Sequence, residues 1–293
     1  MWSRIVERRF SSPPQAALGE GDRRAQPGGG GAIPRQPGAS RRPSTIAARW
    51  SPSPSGAWGG LGGLLLTACS ASPAADAGRD RTPTFPAADR PVAHIVSARW
   101  STEEDRDRLN EAGTVMAKAG VDKGMTVADI GAGEGYYTIR LAQRVGPDGR
   151  VLAEDIFPAV RDTLAERVAR EKLDNVSVRL GEPDDPKLPA ASFDRVLMIH
   201  MYHEIAQPYA FLWRLRPSLK PVGEVIVVDA DRPTQNHGTP PPLLKCEFAA
   251  VGYQEVGITP MPSAGGYLAR FRAVGARPDP GTIKSCHAAK APA

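Results

Sequence analysis

Cysteine is scarce in this sequence of 293 residues, which contains only three. No two of them form a CxxC pair, and no cysteine and histidine residues cluster at the spacing of metal ligands, so we predict no metal site. An exported protein could pair Cys246 with Cys286 as a disulfide, whereas a cytosolic protein would keep both thiols reduced. The cysteine count alone therefore leaves the compartment open.

Long apolar runs are missing as well. The most apolar stretch, AWGGLGGLLLTACS, has about ten suitable residues, too few for a stable helix across a bilayer. It follows Arg41, Arg42 and Arg49, and the order of charged, apolar and small residues is typical of a secretion signal. Its end, at residues 66–69, resembles the bacterial lipobox, which predicts a lipid anchor at Cys69 and a periplasmic, membrane-anchored lipoprotein. The alternative is a leader that is not native, and hence a cytoplasmic protein.

The body of the chain also lacks an excess of basic residues. Residues 1–68 hold nine Arg and three acidic residues, which leaves 28 basic and 29 acidic residues in the rest. No nucleic-acid partner is therefore expected.

Residues 1–68 also hold eight Pro and twelve Gly without apolar periodicity, which predicts a disordered leader or a start codon assigned too far upstream. We expect a tether at 69–91, a folded domain at 92–275 and an irregular tail at 276–293.

Within the folded domain, segments typical of strands and helices alternate. A helix is predicted over residues 101–120, with Ser101 and Glu104 forming a capping box at its start. Seven strands are predicted, at residues 126–130, 151–155, 176–180, 194–200 and 224–229, and two more after residue 240. Parallel strands joined by helices need right-handed crossovers, so the expected fold is a doubly wound α/β sheet.

The stretch VADIGAGEGYYT places a glycine-rich loop directly after the first strand, where such sheets bind their ligands. The loop has the form DxGxGxG, with Asp129, Gly131, Gly133 and Gly135 at the four defined positions. A dinucleotide fingerprint, GxGxxG, would need a third glycine where Tyr136 stands. Glycines without Cβ atoms let a ligand approach the backbone closely. This loop resembles the first motif of the class I S-adenosylmethionine-dependent methyltransferases.

The resemblance continues through the next two strands. Asp155 ends the second strand, where the family uses a carboxylate to bind the ribose hydroxyls, whereas the adjacent Glu154 points to the opposite face. Asp184 and Asp185 match the loop that holds adenine, and an LP dipeptide and an SFD turn follow it at residues 188–194. The resemblance implies a Rossmann-like sheet of seven strands, one of them antiparallel, and S-adenosyl-L-methionine as the cofactor.

Candidate catalytic residues follow the fourth strand: His200, His203 and Glu204. Methyl transfer requires an aligned nucleophile and removal of its proton, and histidine titrates near neutrality. The YHE run at residues 202–204 resembles a subgroup of bacterial methyltransferases, many of them exported and without an assigned substrate. Either histidine could instead cap a helix or lie hydrogen-bonded in the core. Four residues after the fifth strand could complete the acceptor pocket: Asp229, Asp231, Arg232 and His237.

The sequence thus predicts an S-adenosylmethionine-dependent methyltransferase that acts on an unidentified small molecule. One alternative is a non-catalytic binding module on a methyltransferase fold, because an exported enzyme has no evident supply of this cofactor. A nicotinamide-dependent oxidoreductase is the other, and Tyr136 opposes it. The sequence does not define the oligomeric state.

Overall fold

The computed structural model describes residues 83–95 and 102–287. These residues belong to one compact unit. The predicted leader, the lipobox with Cys69, and Ser101 lie outside the described residues. No helix in the described ranges is both long and apolar enough to cross a membrane.

A seven-stranded sheet with the order β3-β2-β1-β4-β5-β7-β6 forms the centre of the domain. Only β7 runs antiparallel, against both β5 and β6, so the predicted fold class is confirmed. The strands are β1 Thr126–Ile130, β2 Arg150–Asp155, β3 Val176–Leu180, β4 Phe193–Ile199, β5 Leu219–Asp229, β6 Tyr253–Met261 and β7 Gly266–Ala273.

Helices cover both faces of this sheet. They are α1 Glu103–Arg108, α2 Glu111–Lys118, α3 Tyr136–Val145, α4 Pro158–Arg170, α5 Pro208–Leu215 and α6 Pro241–Ala250. Side chains alternate along β1, so Val127 packs in the core with α2 and α3, while Ala128 packs in the core with α5 and α6. Burial on both faces explains why the central strands are apolar at nearly every position.

The prediction of a single helix over residues 101–120 is wrong, because two helices, α1 and α2, occupy this range. Asn110 adopts a left-handed conformation (φ 49°) between α1 and α2, which asparagine tolerates better than most residues. The cap of α1 is Thr102, whose hydroxyl accepts a hydrogen bond from the Asp105 backbone N–H (3.1 Å). Leu109, which lies at this break, is 59% exposed to solvent.

Two segments with little regular structure lie against the domain. Arg90, in the part of the predicted tether that the structure describes, is buried and forms an ion pair with Glu247 of α6. In the C-terminal segment, Ile283 and Cys286 are buried, and Cys286 forms a disulfide with Cys246 of α6 across a Cα–Cα distance of 5.9 Å. Both ends of the described chain are therefore fastened to α6.

Candidate functional site

The carboxyl ends of β2, β1, β4 and β5 lie side by side, and most of the predicted site residues follow these ends. Ile130 pairs in register with Glu154 of β2 and with Met198 of β4. Ile199 pairs with Val228 of β5. The topology therefore brings the glycine loop, the ends of β2 and β5 and the segment after β4 to one edge of the sheet.

The glycine loop adopts backbone conformations that favour glycine. Gly131, Gly133 and Gly135 have φ angles of 66°, 55° and 90°, in the left-handed region. A Cβ atom at Gly131 would lie only 3.1 Å from Cγ of Met201, so the loop passes close to the segment after β4. Asp129 is buried beneath the loop, where its Oδ2 accepts a hydrogen bond from the Thr138 hydroxyl (2.6 Å). Burial raises the pKa of Asp129 to about 6.

Asp155 fixes the shape of this loop. Its Oδ2 accepts a hydrogen bond from the Gly133 backbone N–H (3.1 Å), and its Oδ1 accepts one from the Phe157 N–H (3.0 Å). The side chain is largely buried, and the carboxylate joins the end of β2 to the centre of the glycine loop. Its carboxylate thus lies against the loop whose backbone a ligand would approach.

Glu154 points to the other face of β2, as the alternation of strand side chains requires. It is 1% exposed, and its Oε1 has no hydrogen-bond partner among the described residues. Burial and the nearby charge of Asp155 raise the pKa of Glu154 to about 8. Near neutral pH this carboxyl group is therefore mainly protonated.

The two acidic residues of the loop after β3 already have partners within the chain. Asp184 forms an ion pair with Arg214 of α5 and also accepts a hydrogen bond from it through its backbone carbonyl (2.9 Å). Asp185 accepts a hydrogen bond from the Lys187 backbone N–H (2.8 Å). Contact of either carboxylate with adenine stays a prediction.

After β4, the imidazole of His203 is held by Asp229 from the end of β5. Nδ1 of His203 lies 3.0 Å from Oδ1 and 3.1 Å from Oδ2 of Asp229. Asp229 is completely buried and also accepts hydrogen bonds from the Thr239 hydroxyl (2.7 Å) and the Ala230 N–H (2.8 Å). The sequence suggested both His203 and Asp229 as site residues, but their pairing depends on the order of β4 and β5.

His200 has different surroundings. Its backbone is left-handed (φ 57°), and its Nε2 lies 3.9 Å from Oε1 of Glu111 on α2. Burial lowers the pKa of His200 to about 4, so the imidazole is neutral at pH 7. The structure thus separates the two histidines: His203 is paired with a carboxylate at the end of β5, and His200 faces α2.

The sequence analysis missed two charged residues beside these histidines. Glu111 is buried, and its Oε1 accepts hydrogen bonds from the Tyr137 hydroxyl (2.8 Å) and from Arg106 (2.6 Å). The sequence pattern that could have identified Glu111 is a carboxylate beside Ala112, at the start of a helix with an apolar face. Arg90 donates to the carbonyl of Ile205 (3.2 Å), just after the YHE turn, and no sequence pattern marked it.

This arrangement fits S-adenosylmethionine better than a dinucleotide. The left-handed glycines leave the loop backbone open, and the carboxyl groups of Asp129 and Asp155 lie against it. A cationic sulfonium and ammonium match such an environment electrostatically, whereas the negative pyrophosphate of a dinucleotide would be repelled. The residues present therefore fit the predicted cofactor.

Comparison with known sequences supports this assignment. Residues 127–223 match the family described as a methyltransferase domain. The nocamycin O-methyltransferase of Saccharothrix syringae is 49% identical over 74 residues, which cover 25% of this chain and 26% of that protein. The arsenite methyltransferase of Halobacterium salinarum is 41% identical over 70 residues, or 24% of this chain and 18% of that protein. A protein-L-isoaspartate O-methyltransferase of Ignicoccus hospitalis is 27% identical over 40% of this chain and 52% of its own. The match thus spans about half or less of these relatives.

Solved structures show the same fold. A S-adenosylmethionine-dependent methyltransferase from Aquifex aeolicus superposes with a TM-score of 0.50 at 23% identity, covering 58% of this chain and 97% of that one. The [4+2]-cyclase SpnF superposes with a TM-score of 0.51 at 16% identity, covering 64% of this chain and 89% of that one. The sheet therefore has the fold of class I S-adenosylmethionine-dependent methyltransferases. Over residues 127–223, the chain is similar to the methyltransferase-domain family. The matched family and the fold agree with the predictions from the sequence.

Proposed function

We propose that this protein transfers the methyl group of S-adenosylmethionine to a small-molecule acceptor. The main support for the proposal is the glycine loop. Its glycines have left-handed backbones, and the Gly133 N–H donates a hydrogen bond to Asp155. In this function the loop backbone would hold the methionine and adenosyl parts, and the carboxylate of Asp155 would accept hydrogen bonds from the ribose hydroxyls. The bound cofactor supplies an activated methyl group on a positively charged sulfur.

The residues after β4 would then prepare the acceptor. The cofactor would supply a methyl group to the acceptor heteroatom and would keep the electron pair of the broken C–S bond on sulfur. The acceptor also loses a proton, and Nε2 of His203 carries the lone pair to receive it, because Nδ1 is committed to Asp229. His200 is the weaker candidate, because burial lowers its pKa to about 4. Glu204 lies beside His203, with Oε1 4.0 Å from Nε2.

The proposal of a small acceptor draws support from the relatives. Two of the three proteins compared above carry names that indicate small acceptors, nocamycin and arsenite. The third acts, by its name, on protein L-isoaspartate. The YHE turn also supports membership of the bacterial subgroup with export-like leaders that the sequence suggested.

The non-catalytic alternative has one observation in its favour. The [4+2]-cyclase SpnF has the same fold under a name that does not describe methyl transfer, so the fold does not define the reaction. The pair of His203 and Asp229 opposes this alternative. A buried imidazole–carboxylate pair beside a cofactor loop is typical of proton-transfer sites.

Export and lipid anchoring at Cys69 form a separate proposal. Its support is the disulfide between Cys246 and Cys286, because such bonds persist mainly in oxidising compartments. Cys69 itself lies outside the described residues.

Calorimetric titration of the full chain with S-adenosylmethionine, then a screen of small molecules with a labelled methyl donor, tests the methyltransferase function. We expect saturable cofactor binding at one site and label in at least one acceptor. NAD serves as the control ligand and should give no heat of binding. Binding without transfer to any acceptor would favour the non-catalytic module, and binding of NAD alone would favour the oxidoreductase.

A further inference from the structure

Three potential metal ligands converge beyond the ends of β4 and β5: His203, Glu204 and His237. One ligand atom from each can be chosen so that all three lie within 4.8 Å of one another. His203 and Glu204 belong to the turn after β4, and His237 lies in the loop after β5. Since β4 and β5 are neighbours in the sheet, the fold places His237 beside His203 and Glu204, which precede it by more than thirty residues.

His203 already has the hydrogen bond that prepares a histidine for metal binding. A carboxylate only accepts hydrogen bonds, so Asp229 places the proton of His203 on Nδ1 and leaves the lone pair on Nε2. Metal-ligating histidines almost always make such a bond with their second nitrogen. The Thr239 hydroxyl, 2.7 Å from Oδ2, holds Asp229 in turn.

His237 shows a second sign of a built site. It has a left-handed backbone (φ 58°, ψ 59°), which is uncommon for residues other than glycine and tends to persist where the surroundings enforce it. Thr239 N–H bonds to the Ala230 carbonyl (2.9 Å), and Arg232 bonds to the His237 carbonyl (3.0 Å), so the loop is held in place. Yet Nδ1 of His237 is buried without a hydrogen-bond partner among the described residues.

An unsatisfied buried nitrogen is unfavourable, and a bound cation would satisfy it. The ring of His237 stands nearly perpendicular to that of His203, with centroids 5.5 Å apart. In a tetrahedral site with bonds of about 2.1 Å, the donor atoms lie about 3.4 Å apart, so a modest contraction of the three side chains would complete the coordination.

We propose that His203, Glu204 and His237 bind a divalent transition-metal ion, with Zn²⁺ as the first ion to test. Two imidazoles and one carboxylate suit Zn²⁺ and other first-row metals, whereas Mg²⁺ and Ca²⁺ prefer oxygen ligands throughout. Three protein ligands leave a position open for the acceptor, as in catalytic zinc sites. The site thus selects acceptors with a hydroxyl or thiol group that can coordinate the metal.

The ion's role in catalysis rests on the proposed methyltransferase function. A metal bound to Nε2 of His203 would replace direct proton removal by this nitrogen, because coordination lowers the pKa of an acceptor hydroxyl and the proton passes to water. The binding site itself does not depend on that function, since it is defined by the side chains alone.

The binding test uses the full chain, stripped with a chelator and titrated with ZnCl₂, and then with Co²⁺ as an optical probe. We expect one ion per chain and visible absorption typical of four-coordinate Co²⁺. His237→Ala and Glu204→Gln should each weaken binding by at least tenfold, and Asp229→Asn should weaken it 10- to 100-fold through the orientation of His203. His287→Ala is the control, because this exposed histidine pairs with Asp89 and is not one of the three ligands.

Equal Zn²⁺ affinity in the wild type, His237→Ala and Glu204→Gln would overturn the proposal. Circular dichroism spectra of the variants ensure that loss of binding reflects loss of ligands and not unfolding. Methyl transfer that runs equally fast in metal-free and metal-loaded protein would also overturn the metal's role, while leaving the methyltransferase function intact. Specific Zn²⁺ binding by a chain that does not bind S-adenosylmethionine would support the metal site and reject the methyltransferase function.

Discussion

Nε of Arg90 lies 2.8 Å from Oε1 of Glu247, and both side chains are completely buried although 157 residues separate them. The second carboxylate oxygen of Glu247 accepts a hydrogen bond from the Tyr202 hydroxyl (2.7 Å), at the start of the YHE turn. Nη2 of Arg90 also donates to the Ile205 carbonyl (3.2 Å), just after that turn. The segment before α1 and helix α6 together therefore hold the turn that carries His203.

We expect Arg90→Met to lower the free energy of unfolding by about 3–5 kcal/mol, because it leaves the carboxylate of Glu247 buried without its cation. The double variant Arg90→Met/Glu247→Gln should recover part of this loss, since no charge is left unpaired. Urea denaturation of both variants measures the difference. A double variant less stable than the single variant would show that burial of an unpaired charge is not the cause.

Gly133→Val should abolish S-adenosylmethionine binding and leave the domain folded. Valine is strained at a φ of 55°, and its side chain would project from the loop that holds the cofactor. Gly124→Val is the matched control, because Gly124 also has a positive φ (79°) but has no atom within 4 Å of its Cβ position. Wild-type cofactor affinity of Gly133→Val in calorimetry would reject the assignment of the loop.

Asp155→Ala should weaken cofactor binding by about 1.5–3 kcal/mol, the range for hydrogen bonds to a charged group. The loss combines the contacts with the ribose and the hydrogen bond that holds Gly133. Calorimetry compares the cofactor affinity of Asp155→Ala with that of Glu154→Ala, which changes the side chain on the opposite face of β2. A loss of affinity confined to Glu154→Ala would mean that Glu154, and not Asp155, contacts the cofactor.

Glu154 should make the protein less stable at high pH. Its pKa is about 8 in the folded protein and 4.5 ordinarily, so the folded state binds an extra proton between these values. The stability from this group is fully present below pH 4.5 and is lost as the pH rises through 8. The unfolding free energy of Glu154→Gln minus that of the wild type should therefore increase by about 2–4 kcal/mol from pH 5 to pH 9. The exposed Glu166→Gln is the control. An unchanged difference across this range, measured by urea denaturation, would contradict the raised pKa.

The proposal of export predicts processing at Cys69 and an oxidised pair at Cys246 and Cys286. Alkylation before and after reduction should expose these two thiols only after reduction, and Cys69→Ser should move the protein from the membrane to the soluble fraction. Reduction should lower the free energy of unfolding by roughly 2–4 kcal/mol, because the bond closes a long loop. Soluble, unprocessed wild-type protein with all three thiols free would indicate a cytosolic enzyme.

The sequence by itself determined the parts that depend on local pattern. Strand β1 and the DxGxGxG loop that follows it could be predicted to the residue, because apolar pattern and glycine spacing are properties of consecutive residues. The same holds for the opposite orientations of Glu154 and Asp155, which follow from the alternation of strand side chains.

Only the tertiary structure decided which distant groups meet. The pairing of His203 with Asp229 depends on β4 lying next to β5, and the burial of Arg90 depends on Glu247 far along the chain. Asn110 likewise divides a helix whose apolar pattern continues across it, because the pattern records burial and not backbone conformation. Long-range contacts and single left-handed residues leave no periodic signal, and for this physical reason the three-dimensional fold alone revealed the cluster of His203, Glu204 and His237.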